Sequence, residues 1–286
     1  MATNSSKGNE PDRADDDEAT VVTIINRKGG VSKSTVTVNA AATKAQLLRN
    51  SLSPDAKSPV AAVSIDPQGS AVWWAERVDG RDFHIVQAHD DIEGLRKLKK
   101  LRGIKHIYVD TPGWIDLDDN SGADPLGDGK SSDALRAVLS VTDLAVVPML
   151  PEPLSYKPTL QTIRRVLEPR GVPYMVVISN WDARDGKADR DETIEYVQNK
   201  GWPLANTVIR RYKLHTRASA EGHVVTDYPR NRVGLEARLD FSGLAHEIDE
   251  MISATRAARA AAAEAAAGAE AGAGAGAGAE ADAGGK

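Results

Sequence analysis

Six short runs of apolar, largely β-branched residues recur along the chain, at 21–25, 60–63, 83–86, 107–109, 144–147 and 175–178. Within each run the apolar residues are continuous rather than alternating, which is how strands buried on both faces read. Between them the stretches 35–49, 92–101, 132–139 and 157–167 suit helices. Strand and helix alternation of this kind predicts an α/β fold, a mostly parallel twisted sheet with helices on both faces. An apolar share of 41% over 286 residues is enough to fill such a core.

The two ends differ from the middle. Residues 1–19 are polar, include the acidic run Asp15, Asp16, Asp17 and Glu18, and have almost nothing to bury, so they are predicted to be disordered. From 255 to 286 the chain is Ala-rich and then alternates Ala with Gly. Alanine favours helix, but the repeated glycines lack both propensity and packing groups, and the segment reads as a flexible tail. One domain is expected over 20–254. The chain has no cysteine, which excludes disulfides, zinc thiolates and cysteine-held iron–sulfur clusters. No apolar run reaches the length of a membrane span, and the polar start lacks the core of a secretory signal, so a cytoplasmic protein is expected. A net charge of −5 argues against a surface that is basic overall, and any DNA contact has to be local.

The first apolar run is followed at once by Asn26, Arg27, Lys28, Gly29, Gly30, Val31, Ser32, Lys33, Ser34 and Thr35, and then by a helical stretch. A strand, a Gly-rich loop and a helix N-terminus together make an anion site, because backbone N–H groups converge on it and glycine lets the chain come close. Lys33 adds a cation for the β- and γ-phosphates of a nucleoside triphosphate, and the Ser34 hydroxyl is placed to ligate Mg²⁺. The ordinary phosphate-loop pattern is incomplete, since Arg27 and Ser32 stand where its two glycines belong. Two further runs end on acids: Asp66, followed by Pro67, Gln68 and Gly69, and Asp110, followed by Thr111 and Pro112. Carboxylates at strand C-termini lie at the mouth of a parallel sheet, where Asp110 can hold Mg²⁺ through water and Asp66 can orient the attacking water or the metal shell.

Lys28-Gly29-Gly30, with Lys33, Ser34 and Thr35 behind it, resembles the deviant phosphate loop of the ParA/MinD superfamily, whose mark is the extra lysine before the two glycines. The strand-ending Asp66 and Asp110 are similar to that superfamily's second and third nucleotide motifs. Asn180, at the end of the run 175–178, resembles the asparagine that contacts the adenine base. The resemblance implies an Mg²⁺-dependent ATP hydrolase in which Lys28, Lys33 and Asp66 take part in catalysis. It also implies that residues 28–35 hold the nucleotide, and that two subunits sandwich two ATP molecules with Lys28 reaching the partner's phosphates. Where Ser32 stands the family usually has glycine.

Branches of the superfamily separate on visible features. Relatives with a shared iron–sulfur cluster need cysteines, membrane-cycling relatives end in an amphipathic helix, and tyrosine kinases carry tyrosines near the C-terminus; none of these is present. The resemblance therefore points to the ParA branch, which segregates plasmids or chromosomes. Its dimers bind double-stranded DNA without sequence preference, and a ParB-like centromere-binding protein stimulates hydrolysis. Such a protein is cytoplasmic and nucleoid-associated. Arg210, Arg211, Lys213, Arg217 and Arg238 are the expected DNA-binding residues, through salt-sensitive phosphate contacts. The basic run 96–102, with leucines at 95, 98 and 101, reads first as an amphipathic surface helix. The polar segment 113–130 reads as a mobile loop. Two other readings stand beside partition: a nucleotide-switched scaffold with little turnover, given Ser32, and a positioning ATPase for a cargo other than DNA.

Overall fold

Seven strands, one more than the apolar runs predict, form a single sheet in a computed structural model that describes residues 18–114 and 124–277. The expected acidic segment up to residue 17, residues 115–123 of the polar loop and residues 278–286 of the tail lie outside the described residues. The strands are β1 (Thr20–Ile24), β2 (Val60–Ser64), β3 (His84–Gln87), β4 (His106–Asp110), β5 (Leu144–Met149), β6 (Tyr174–Trp181) and β7 (Leu204–Arg210). Their order is β3-β2-β4-β1-β5-β6-β7, and every pair is parallel.

The helices are α1 (Lys33–Arg49), α2 (Ser70–Ala75), α3 (Ile92–Arg96), α4 (Lys130–Leu139), α5 (Tyr156–Gln161), α6 (Ala188–Asn199), α7 (Lys213–Glu221) and α8 (Arg232–Ala277). A π-turn, Thr162–Leu167, continues α5. Val36, Trp74, Ala218 and Phe241 bring α1, α2, α7 and α8 onto one face of the sheet. Leu95, Leu135, Ile163 and Val197 bring α3 to α6, with the π-turn, onto the other. The sheet is thus covered on both sides, as the unbroken apolar runs require: β1, β2 and β5 are buried along their whole length.

Two expectations are corrected, one strand is not foreseen, and the last helix runs past the expected domain boundary, as its alanines allow. The run at 83–86 is not buried on both faces, because β3 is the outermost strand and leaves His84 and Val86 exposed. β7 gives no continuous apolar run; it is the other edge, with Asn206 exposed. The helix expected over 92–101 breaks at Lys97 into α3 and a 3₁₀ turn, Leu98–Lys100. Leu95 and Leu98 stay buried, while Leu101, where the backbone after the turn becomes extended, is exposed. Finally, α8 crosses the expected boundary at residue 254 without a break. Alanine propensity sustains it there, and Arg256 Nη2 ties it to the sheet by donating to Thr20 Oγ1 at 2.8 Å.

Candidate nucleotide-binding site

β1 ends beside β4 and β5, and the chain then turns through 25–32 into α1. Asn26 fixes the start of that turn. Its amide donates to the Pro148 carbonyl at 2.9 Å and to Thr159 Oγ1 at 3.0 Å, and its Oδ1 accepts the Lys28 N–H at 3.0 Å. The Arg27 N–H donates to Thr162 Oγ1 at 3.1 Å, and Ser179 Oγ donates to the Val31 carbonyl at 3.2 Å. The loop is therefore pinned by β5, β6 and the α5 segment before any ligand arrives. Ser32, at the N-terminal end of α1, has φ 69° and ψ 25°. This is the left-handed conformation that the usual glycine would adopt freely, and it costs a non-glycine residue on the order of 1 kcal/mol.

Lys33 of the loop and the two strand-end acids come together. Lys33 is buried and folds back over the loop, donating to the Lys28 carbonyl at 3.1 Å. Burial lowers its pKa, and Asp110 and Asp66 act against that shift. Ser34 Oγ donates to Asp110 Oδ2 at 2.9 Å. Asp110 is fully buried and its pKa is pushed up to about 7, first by burial; the Ser34 hydrogen bond opposes the rise, Asp66 adds to it and Lys33 opposes it. Among the described residues its Oδ1 has no hydrogen-bond partner. A buried acceptor left open beside a serine hydroxyl suits a hydrated Mg²⁺, which needs oxygen ligands and keeps several waters. Ser34 and Asp110 fit that metal, and it would neutralise charge on the phosphates.

The segment after Asp110 closes the floor. Thr111 Oγ1 donates to the Ile24 carbonyl at 2.8 Å, and the Trp114 N–H donates to the Arg27 carbonyl at 3.1 Å. The crossing is close at Gly113, where a Cβ would lie 3.0 Å from the Arg27 carbonyl oxygen and the neighbour would have to give. The result is a cleft of about 1120 Å³ lined by Gly30, Ser34, Asp66, Asn180, Trp73 and Tyr212, among others. Asn180, the last residue but one of β6, has φ 58° at a register shift against β7 and lines the cleft wall. Asp66 is positioned partly by Gln87 of β3, whose Nε2 donates to the Asp66 carbonyl at 2.8 Å.

Lys28 does something different from Lys33. Its ammonium is bound to Glu152 Oε1 at 2.5 Å, and neither residue lines the cleft. Sequence reasoning missed Glu152, which lies just beyond β5 between two prolines. Its location past the C-terminal end of a parallel strand was the available signal.

The five basic residues expected to face DNA divide. Arg211, Lys213 and Arg217 are exposed, and the first two line the cleft mouth. Arg210 and Arg238 are also tied down within the fold, and Arg210 lines the cleft as well. The Arg210 guanidinium donates to both oxygens of the buried Asp240, with Nη2 to Oδ1 at 2.6 Å, and Arg238 Nε donates to the Val225 carbonyl at 3.1 Å and its Nη2 to the Tyr228 carbonyl.

A strand, a pinned phosphate loop, a buried lysine and two acids at the C-terminal mouth of a parallel sheet define the class: a P-loop nucleoside-triphosphatase with a second, outward lysine. No family model matches the chain. It is 33% identical over 230 residues to the Maintenance of carboxysome distribution protein A of Gloeobacter kilaueensis, covering 80% of this chain and 94% of the relative. The fold is shared with the MinD cell division protein of Aquifex aeolicus in its complex with MinC (TM-score 0.59, 16% identity, 81% of this chain and 96% of that one). It is shared too with an ATP complex of Cyanothece McdA (0.56, 12%, 81% and 97%). A putative plasmid partition protein of Borrelia burgdorferi bound to AMPPNP is a further match (0.54, 15%, 78% and 97%). The chain belongs to the ParA/MinD family of P-loop ATPases.

Proposed function

We propose that this chain is an Mg²⁺-dependent ATP hydrolase that positions a protein-built cargo by cycling between a monomer and an ATP-bound dimer on DNA. One observation carries the reading: two lysines of one loop have separate assignments, Lys33 over its own phosphate site and Lys28 outside it on Glu152. A cation held outside the cleft is available to a second subunit's γ-phosphate, where developing charge needs stabilisation. Residues 29–35 grip the triphosphate, Ser34 and Asp110 hold the metal, Asp66 orients the attacking water, and Asn180 meets the base.

A protein-built cargo is preferred to the plasmid or chromosome expected from sequence because the 33%-identical relative is named for carboxysome distribution. Exposed Arg211, Lys213 and Arg217 supply the non-specific DNA contact, which would make the protein nucleoid-associated. A partner protein on the cargo stimulates hydrolysis. Among the described residues no helix is long and apolar enough to cross a membrane. Sedimentation of the full chain with ATP or ADP, with and without DNA, tests the cycle. ATP-dependent dimers that retain DNA support it; a monomer under every condition overturns it.

A further inference from the structure

The two edges of the sheet are treated differently. At β7 the outward N–H groups of Asn206 and Thr207 donate to the Glu247 carboxylate at 2.6 and 2.8 Å, which closes that edge to another strand. Among the described residues β3 has no such guard. The Ala88 N–H points inward to the Ser64 carbonyl at 2.9 Å, so by the alternation of a strand Ile85 and Gln87 turn their N–H and C=O groups outward.

Beside this open edge the sheet is also poorly covered. The crossover from β3 to β4 contains only the short α3 and one 3₁₀ turn. It leaves a groove of about 430 Å³ whose apolar wall includes Val63, Val86, Leu98, Leu101 and Ile104. Val86 is 49% and Leu101 41% exposed, although both belong to this apolar surface. The exposed cations Lys57 and Arg102 also line the groove. The acid beside them, Asp91, is occupied in capping α3, accepting the Gly94 N–H at 2.8 Å. The groove and the nucleotide cleft have no lining residue in common.

An open strand edge next to pockets for alternate side chains is the arrangement that binds extended peptides by strand addition. We propose that β3 and this groove form a docking site for an extended segment of another protein. That segment carries aliphatic side chains at alternate positions and carboxylates to meet Lys57 and Arg102. It adds an eighth strand through Ile85 and Gln87 and seats its aliphatic side chains against Val86 and Leu101. Because the Gln87 side chain holds the Asp66 carbonyl, the docked strand lies one residue from the loop that carries a nucleotide-site acid. The site does not depend on the ATPase reading.

The test uses the full chain and a fluorescent heptapeptide that alternates valine with threonine and ends in glutamate at both termini. Saturable binding by anisotropy is expected, with amide NMR shifts centred on Ile85 and Gln87. Val86→Glu should weaken it at least tenfold without changing nucleotide affinity, and Lys57→Glu with Arg102→Glu should do the same for this peptide. A peptide N-methylated at every second residue should not bind. Equal binding by Val86→Glu or by the N-methylated peptide would overturn the proposal, as would no binding at millimolar peptide. Nucleotide-free self-association that Val86→Glu abolishes would assign the groove to a second copy and overturn it too. So would peptide binding that appears only after residues 1–17 are removed.

Discussion

Lys28 and Glu152 form an ion pair at 2.5 Å, with side chains 21% and 44% exposed, that keeps the family's distinguishing lysine off its own nucleotide cleft. At this exposure the pair contributes little to stability, about 1 kcal/mol or less. Its effect is on where the cation is. For Lys28 to reach a second subunit's phosphates, Glu152 has to release it. Glu152→Gln, which keeps the shape and removes the charge, is therefore expected to raise unstimulated ATP turnover severalfold while leaving the melting temperature within a degree or two. Lys28→Ala should retain ATP binding and lose turnover, alone or combined with Glu152→Gln. Unchanged turnover in Glu152→Gln would show that the pair restrains nothing.

Ser32 offers a backbone test. Its left-handed φ of 69° costs a residue with a side chain on the order of 1 kcal/mol, but glycine regains part of that cost as unfolded-chain entropy. Ser32→Gly is expected to be at least as stable as the parent and to bind ATP several-fold more tightly, because the loop reaches its conformation without strain. Ser32→Val, β-branched and forced to the same φ, should melt several degrees lower and lose ATP affinity. Thermal unfolding with and without ATP measures both. A less stable glycine variant would mean that the serine hydroxyl contributes more than its backbone costs.

Much of this fold was legible because burial on both faces writes itself as unbroken apolar runs, and the central strands obeyed that rule. Legibility failed at the rims. β3 shows the same pattern without the burial, and β7 mixes Asn206 and Thr207 into an edge whose outward groups are satisfied by Glu247, 40 residues away from Thr207. Local sequence carries no mark of such a partner. In the site, the loop and both acids could be read from strand and helix context, whereas the Lys28 contact could not, since Glu152 reads as an ordinary acid between prolines. Charge density could not show that Arg210 and Arg238 also have partners inside the fold. A cluster of arginines looks the same in sequence whether it faces solvent or carboxylates.

Asp110 gives the site a pH dependence. Its pKa is raised from 3.8 to about 7 in the metal-free fold, so below pH 7 the group is mostly protonated and a proton must leave when Mg²⁺ is bound. Mg²⁺-dependent ATP affinity is expected to rise with pH up to about 7 and to level off above it. Asp110→Asn should bind Mg²⁺–ATP weakly with no such slope. Calorimetry in two buffers of different ionisation enthalpy would count the released proton at pH 6. No proton release there would place the metal away from Asp110.

Arg210 and Arg211 are neighbours with opposite expected phenotypes. Arg211 is exposed at the cleft mouth, as Arg217 is on α7, and phosphate contacts by such residues release counterions from DNA. Arg211→Ala with Arg217→Ala should weaken ATP-dependent DNA binding and lower the slope of log affinity against log salt by about 2, leaving stability unchanged. Arg210→Ala removes the partner of Asp240, a carboxylate only 8% exposed, and also a cation 3.4 Å from Glu236. Stranding a buried acid costs about 2–3 kcal/mol when its cation is partly solvated. The variant should therefore melt several degrees lower with its salt slope intact. DNA binding measured from 50 to 300 mM salt (roughly the range over which counterion release dominates), beside thermal unfolding, separates the two. If Arg210→Ala flattened the salt slope without destabilising the fold, the Asp240 pair would not hold in solution and Arg210 would return to the DNA face.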